Sequence, residues 1–132
     1  MILVDANVLM YAAGAGHPNK QPSVRFLERV ARGESEAALD AESLQEILHR
    51  YRALGRWEEG RRVYDLARQI FPEVLPITAA ILDEARALMD RHGHLSARDA
   101  LHAAVVITHH LEALCSFDRD FDGIEGLRRI EP

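Results

Sequence analysis

The stretch Met1-Ile2-Leu3-Val4-Asp5-Ala6-Asn7-Val8-Leu9 opens the chain and decides its fold. Apolar residues run without alternation from Ile2 to Val4, which is typical of a short strand buried on both faces of a parallel sheet. The run stops at Asp5, so an acidic residue follows directly after the strand. In an open parallel sheet the carboxyl ends of the strands share one edge, and ligands bind in the crevice beside it. We therefore expect Asp5 at a ligand-binding edge.

Strands and helices alternate along the rest of the chain, which predicts a three-layer α/β domain spanning residues 1–132. Apolar runs predict further strands over residues 37–39, 74–75 and 113–116. An edge strand is also expected over 128–130. A helix is expected to begin at Pro22, a second to follow Asp40, which is the expected N-cap, and another, rich in Ala and Val, to run from residue 97 to about 110. The helical apolar stripes are Val24, Leu27, Val30 and Ala31; Leu44, Ile47, Leu48, Tyr51 and Leu54; Val63, Leu66, Ala67 and Ile70; Ile81, Leu82, Ala85, Leu88 and Met89.

Three further acidic residues stand at similar places in this pattern. Glu46 lies in the first turns of a helix, Asp99 opens another helix, and Asp118 follows the apolar segment 113–117. Four carboxylates gathered at one sheet edge cannot all stay ionised without a compensating charge. A hard divalent cation such as Mg²⁺ or Mn²⁺ takes oxygen ligands and supplies that charge. The four acids therefore indicate a metal-dependent enzyme that acts on phosphates.

Each acid also has a purely structural interpretation. Asp5 can cap the next helix, and Glu46 can be an ordinary surface residue. The segment Ser96-Ala97-Arg98-Asp99 resembles a capping box, and the alternating acids of Asp118–Asp122 can form a solvated loop. Against the capping interpretation, Asp99 opens a nearly apolar helix, where an unpaired acid is costly.

Composition constrains the compartment and the partners. The 132 residues, 48% of them hydrophobic, suit one folded domain. Cys115 is the only cysteine, so no intramolecular disulfide forms, and a buried packing role is expected for it. We expect a cytoplasmic protein, because no signal peptide is recognisable and no apolar stretch reaches the ~18 residues of a membrane span. The net charge of −5 argues against a generally basic nucleic-acid surface but leaves room for a local basic groove.

Four segments together resemble a PIN-domain ribonuclease and are most similar to the toxin half of VapBC-type toxin–antitoxin pairs. The matching segments are Met1–Leu9, Ser43–Leu48, Leu95–Ala104 and Ser116–Phe121. They fall in the family's order and span nearly the whole chain. Each segment alone is a weak signal, whereas the ordered set is specific.

The resemblance implies a three-layer PIN-like domain with a central parallel sheet of four to five strands and helices on both faces. It implies Mg²⁺ or Mn²⁺ at the acidic cluster, endonucleolytic cleavage of RNA, a homodimer, and a small antitoxin encoded beside the chain. The family's acidic positions correspond to Asp5, Glu46, Asp99 and Asp118. Its supporting polar positions correspond to Asn7 and Ser116. Asp120 and Asp122 fall where extra acids are variably present in the family. Glu42 falls at a position that the resemblance leads us to expect to be neutral.

The chemistry agrees with the residues independently of the resemblance. Phosphodiester hydrolysis needs an activated water and an electrophile on the phosphoryl oxygens, and divalent ions supply both. Carboxylates hold such ions and accept the proton of the water. The chain has no comparably complete Ser–His–Asp or Cys–His set and no glycine-rich phosphate loop.

Three other functions compete with this one. A haloacid-dehalogenase-type phosphatase needs a second Asp two residues after the first, where this chain has Asn7. A structure-specific DNA nuclease has a related site, although such enzymes usually carry insertions for gripping DNA. An inactive PIN-like binding module is disfavoured because all four acids are present.

Substrate and partner surfaces are less sharply indicated. The hairpin Arg50–Arg68 holds six arginines against three acids, so it can follow an RNA backbone, accept an acidic antitoxin segment, or be a solvated face. Trp57 and Tyr51 can stack on bases, although Tyr51 better fits the core. The side chains of Leu9, Met10 and Tyr11 lack an obvious partner inside one small domain and favour a homodimer.

Overall fold

Five short strands form one parallel sheet in the computed structural model, which describes residues 1–132. The strands are β1 (Ile2–Val4), β2 (Ala37–Asp40), β3 (Val74–Leu75), β4 (Ala113–Cys115) and β5 (Arg129–Ile130). Their order across the sheet is β3-β2-β1-β4-β5, and every neighbouring pair is parallel. The prediction of a central parallel sheet of four to five strands is confirmed, with β1 in the middle.

Helices cover both faces of the sheet, so the three-layer prediction is confirmed. They are α1 (Ala6–Ala13), α2 (Lys20–Ala31), α3 (Ala41–Ala53), α4 (Trp57–Ile70), α5 (Ala79–Arg91) and α6 (Ala97–Thr108), and a 3₁₀ turn spans Arg119–Phe121. Successive side chains of a strand point to opposite faces. Leu3 of β1 therefore packs in the core beneath α5 and α6, whereas Val4 packs in the core formed with α1 to α4. Among these helices, none combines the length and the apolar character that crossing a membrane requires.

Helix boundaries follow the capping residues. The Asp40 carboxylate accepts a hydrogen bond from the Ser43 N–H at 2.9 Å and caps α3. Gly55 lies just beyond α3 with φ of +69°, a conformation that glycine adopts at low cost. Helix α2 begins at Lys20, earlier than the predicted start at Pro22, because proline is tolerated in a first turn, whose N–H groups lack intrahelical partners.

Some apolar residues of the predicted stripes do not reach the core. Six are exposed, so the stripes predicted from the sequence are wider than the faces that are buried: Ala31, Leu48, Leu54, Leu66, Leu82 and Met89. The strands are only two to four residues long. The sheet and one neighbouring helix together therefore cover only part of the apolar stripe on each helix.

Two further expectations about individual side chains are resolved. Leu9 was expected to lack a partner inside the domain, but it is 1% exposed and packs in the core with α1 to α4. Cys115 is buried as expected, and burial raises the pKa of its thiol to about 12, so it packs as a small apolar side chain.

The strand order creates a crevice at the centre of the sheet. The chain runs from β1 to β2 and β3 on one side and returns to β4 on the other side of β1. The boundary between β1 and β4 is therefore a topological switch point, beside whose carboxyl edge ligands bind in open α/β sheets. Asp5 follows β1 and Ser116 follows β4, so both residues stand at this edge.

Candidate active site

The four acids singled out from the sequence line one cavity of roughly 530 Å³ at the carboxyl edge of the sheet. They are Asp5, Glu46, Asp99 and Asp118, and they come from four separate segments of the chain. Asn7 also lines the cavity. The fold thus brings together carboxylates that lie more than a hundred residues apart in sequence.

Asp5 is held in place by two hydrogen bonds. One carboxylate oxygen accepts from the N–H of Asn7 at 3.2 Å, so Asp5 does cap α1. The other accepts from the Ser116 hydroxyl at 2.6 Å, across the boundary between β1 and β4. Burial raises the pKa of Asp5, and the nearby Glu46 carboxylate adds to the rise, whereas His102 and the Ser116 hydrogen bond oppose it. Capping and a place in the cavity therefore coexist in one side chain.

Ser116 connects three of the predicted residues. Its fully buried hydroxyl donates to Asp5 and accepts from the Asn7 side-chain amide at 3.2 Å and from the Asp118 N–H at 3.0 Å. The Asn7 carbonyl oxygen, Oδ1, is buried and has no hydrogen-bond partner within the chain. A free amide oxygen beside carboxylates is a suitable ligand for a hard cation or for its water.

Glu46 is bound to a buried histidine that the sequence analysis gave no role. His102 of α6 is 0% exposed, and its Nε2 lies 2.7 Å from Glu46 Oε1. Its Nδ1 lies 2.7 Å from Asp40 Oδ2, also fully buried. Burial alone lowers the pKa of His102, but the Asp40 charge and the two hydrogen bonds outweigh it and raise this pKa well above its ordinary value. Each ring nitrogen thus lies within hydrogen-bond distance of a carboxylate oxygen, which suits a ring that donates from both nitrogens.

A signal for His102 existed in the sequence. His102 stands three residues after Asp99, on the same face of a helix that is otherwise apolar. Asp40 was predicted only as the cap of α3, which is confirmed, but its second oxygen also holds the histidine ring. A polar residue inside an apolar helix needs a partner when it is buried, and here it has two.

Asp99, Asp118 and Asp120 form a second acidic group. Their carboxylate oxygens lie within 4.8 Å of one another. Burial raises the pKa of Asp99, and repulsion from Asp118 raises it further. The Ser96 hydroxyl accepts from the Asp99 N–H at 3.2 Å, so the helix cap predicted here also forms. Asp120 is exposed at the rim of the group.

None of the three additional acids, Asp120, Asp122 and Glu42, lines the cavity. Asp122 is exposed and pairs with Arg129 of β5 at 2.7 Å, and that hydrogen bond lowers the pKa of Asp122. It therefore anchors the edge strand and does not join the cluster. Glu42 is one turn before Glu46 on α3, and partial burial, followed by the Glu46 charge, raises its pKa.

Basic side chains surround the acids. Arg50, Arg56 and Arg98 line the same cavity, and Arg56 also pairs with Glu59 at 2.5 Å. Only part of the basic hairpin 50–68 therefore faces the acids.

Tyr51 and Trp57, two of the three aromatic residues of this hairpin, have partners within the chain. Tyr51 is 5% exposed and packs in the core, as expected, directly against Gly60. Trp57 lies beneath the guanidinium of Arg52, 4.4 Å from the ring centroid, so one face of its ring already contacts a cation.

The donor set fits a hard divalent cation. Its members are carboxylate oxygens and one free amide oxygen, with no cysteine thiolate among them. Burial is the main cause of the raised pKa values of Asp5 and Asp99, and neighbouring carboxylates add to the rise; a bound cation favours the ionised form of both groups. Two separate groups of side chains are close enough for each to share an ion, namely Asp5, Glu46 and His102, and Asp99, Asp118 and Asp120.

Comparison with known proteins agrees with this geometry. The PIN domain model matches residues 2–127. The VapC ribonuclease Mb1869c of Mycobacterium bovis and ribonuclease VapC13 of Mycobacterium tuberculosis are each 45% identical over 130 residues, covering 98% of this chain and 99% of the relative. The structure of VapBC2 from Rickettsia felis, bound to a DNA fragment from their promoter, superimposes with a TM-score of 0.78 at 18% identity, covering 99% and 98% of the two chains. The chain belongs to the PIN-domain family, in its VapC group.

Proposed function

We propose that this protein is a metal-dependent endoribonuclease that hydrolyses RNA phosphodiester bonds and acts as the toxin of a type II toxin–antitoxin pair. One observation carries the proposal: four carboxylates from four segments line one cavity at the switch point of the sheet. The names of the 45%-identical relatives support RNA as the substrate.

Asp5, Glu46, Asp99 and Asp118 are the residues that hold Mg²⁺ or Mn²⁺ in this proposal. When bound, the cation supplies an electrophile for the phosphoryl oxygens and lowers the pKa of a water. Ser116 orients the Asp5 carboxylate through the 2.6 Å hydrogen bond and, by accepting from the Asp118 N–H at 3.0 Å, also fixes the backbone that carries the Asp118 side chain.

Proton transfer and phosphate binding fall to other groups of the cavity. Asp99 is half-buried and lines the cavity, so its carboxylate is placed to accept a proton from the attacking water. Arg50 and Arg98 line the cavity beside the acids and offset the charge of the phosphates that flank the scissile bond.

The regulation of such an enzyme requires an inhibitor. We propose a small antitoxin that inserts an Arg toward Asp5 and Asp99, where charge-assisted hydrogen bonds replace the cation. Met10 and Tyr11 line the cavity and offer apolar contacts beside those acids. A homodimer is also proposed, and exposed apolar side chains such as Leu82 and Met89 on α5 are available for its interface.

Cleavage of a mixed RNA pool tests the proposal. The purified chain is incubated with Mg²⁺, with Mn²⁺ and with a chelator, and Asp5→Asn serves as the inactive control. Single-stranded and flap DNA are run in parallel, because preferential DNA cleavage identifies the structure-specific DNA nuclease instead. Absence of cleavage of any substrate by the folded protein supports the inactive binding module. Co-purification with the product of the neighbouring reading frame tests the antitoxin.

A further inference from the structure

Three buried polar groups form a continuous line behind the cavity. Asp40 at the end of β2, His102 on α6 and Glu46 on α3 are joined by two contacts of 2.7 Å each. The side chains of Asp40 and His102 are 0% exposed, and that of Glu46 is 16% exposed. Only the last member of the line reaches the cavity.

The hydrogen bonds of these three side chains determine which of their oxygen and nitrogen atoms remain available to a ligand. Asp40 uses one carboxylate oxygen for the Ser43 N–H at 2.9 Å and the other for His102 Nδ1. Both ring nitrogens of His102 are therefore engaged with carboxylates, which accept hydrogen bonds and do not donate them. His102 has no lone pair left for a cation, although it lies near Asp5 and Glu46. Glu46 has one oxygen on the ring and keeps the other for the cavity.

A line of buried polar groups is not expected to contribute much to the free energy of folding. Buried charged networks are often no more stabilising than well-packed apolar side chains of the same volume. All residues from Ala100 to Val106 except His102 are buried and apolar, so the packing of the helix does not itself require a polar side chain at position 102. A role in ordering the Glu46 side chain explains the presence of His102 better than a contribution to folding stability. A glutamate has three rotatable bonds, and a hydrogen bond to a fixed ring removes much of that freedom.

We propose that His102, itself oriented by Asp40, is a positioning residue that fixes the Glu46 carboxylate for the cation. The inference rests on the proposed function in one respect, namely that Glu46 is a ligand of the cation. Partners that orient metal ligands in this way typically change metal affinity by about 10- to 100-fold when they are removed. The same loss is expected here when the hydrogen bond to Glu46 is removed.

The test separates the bond to Glu46 from the burial of charge. Asp40→Asn is the reference variant: its amide oxygen still accepts from the Ser43 N–H, and its amide N–H₂ donates to Nδ1, so Nε2 still donates to Glu46. In this background His102→Gln places an amide donor near the position of Nε2, within reach of Glu46. His102→Asn places its amide near the position of Nδ1, within reach of residue 40 only. His102→Leu is a third variant with no polar atom.

Affinity for Mn²⁺ alone is measured by calorimetry on the full chain, and folding is checked by circular dichroism. We expect the reference and the His102→Gln double variant to bind Mn²⁺ within about 3-fold of each other, and the His102→Asn and His102→Leu double variants to bind about 10- to 100-fold more weakly. The inference is overturned if all folded variants bind equally, or if the Gln variant is as weak as the Asn and Leu variants. If the unaltered protein binds no Mn²⁺, the proposed cation site fails as well, so the two failures are distinguishable.

Discussion

Ser116→Ala is the perturbation whose size the structure determines best. The hydroxyl is fully buried and makes three hydrogen bonds, to Asp5 at 2.6 Å, to Asn7 at 3.2 Å and to the Asp118 N–H at 3.0 Å. A hydrogen bond to a charged group contributes about 1.5–3 kcal/mol, and a neutral one about 0.5–1.5 kcal/mol. Asn7 and Asp118 are only half-buried and recover part of the loss from water, so we expect destabilisation of roughly 2–4 kcal/mol.

The loss is measured by thermal unfolding of the metal-free protein. For a domain of this size about 4 °C of melting temperature corresponds to 1 kcal/mol, so the expected decrease is roughly 8–16 °C. Ser96→Ala is the matched control, because Ser96 makes one capping bond at 3.2 Å from an exposed position and its loss costs about 1 kcal/mol. Equal decreases for the two variants would refute the claim that Ser116 connects the site.

Three other predictions concern charge and assembly. Asp99→Asn is expected to abolish Mg²⁺-dependent cleavage. In urea the metal-free variant should be at least as stable as the unaltered protein, because the repulsion between residue 99 and Asp118 ends. Unfolding of the variant would show that the structural role of Asp99 dominates. Because the pKa of Asp99 is raised in the folded state, the unaltered metal-free protein should gain stability relative to Asp99→Asn as pH falls through that raised value toward the ordinary 3.8, and an identical pH dependence for both proteins in thermal melts would contradict this. Sedimentation velocity at micromolar concentration should show a dimer, and a monomer alone would count against the homodimer.

The elements that carry a local signal were predictable. β1 was recognisable from three unbroken apolar residues, and Asp40 and Ser96 from their places before helices, because capping depends on neighbours in the sequence. The exposed positions of Leu48 and Leu82 were not predictable, because periodicity gives the direction of a helix face but not the width that its neighbours cover.

In the site, too, the features that depend on sequence neighbours were predictable, whereas the contacts between distant residues were not. The four acids were marked by their places at strand ends and helix starts, and the fold brings them to one cavity. The contact between Asp40 and His102 joins residues 62 positions apart, and nothing near either residue predicts it. Asp122 shows the converse case: it is close to Asp118 in sequence, but its carboxylate pairs with Arg129 and not with the acids of the cavity.

Locating a bound cation tests the central claim most directly. Crystals of the full chain grown with Mn²⁺ are measured at a wavelength where manganese scatters anomalously. The account predicts an anomalous peak in the cavity, about 2.0–2.3 Å from carboxylate oxygens that include those of Asp5 and Glu46, and no such peak in Asp5→Asn crystals. A peak outside the cavity, or RNA cleavage that persists in chelator with the cavity empty, would contradict the account.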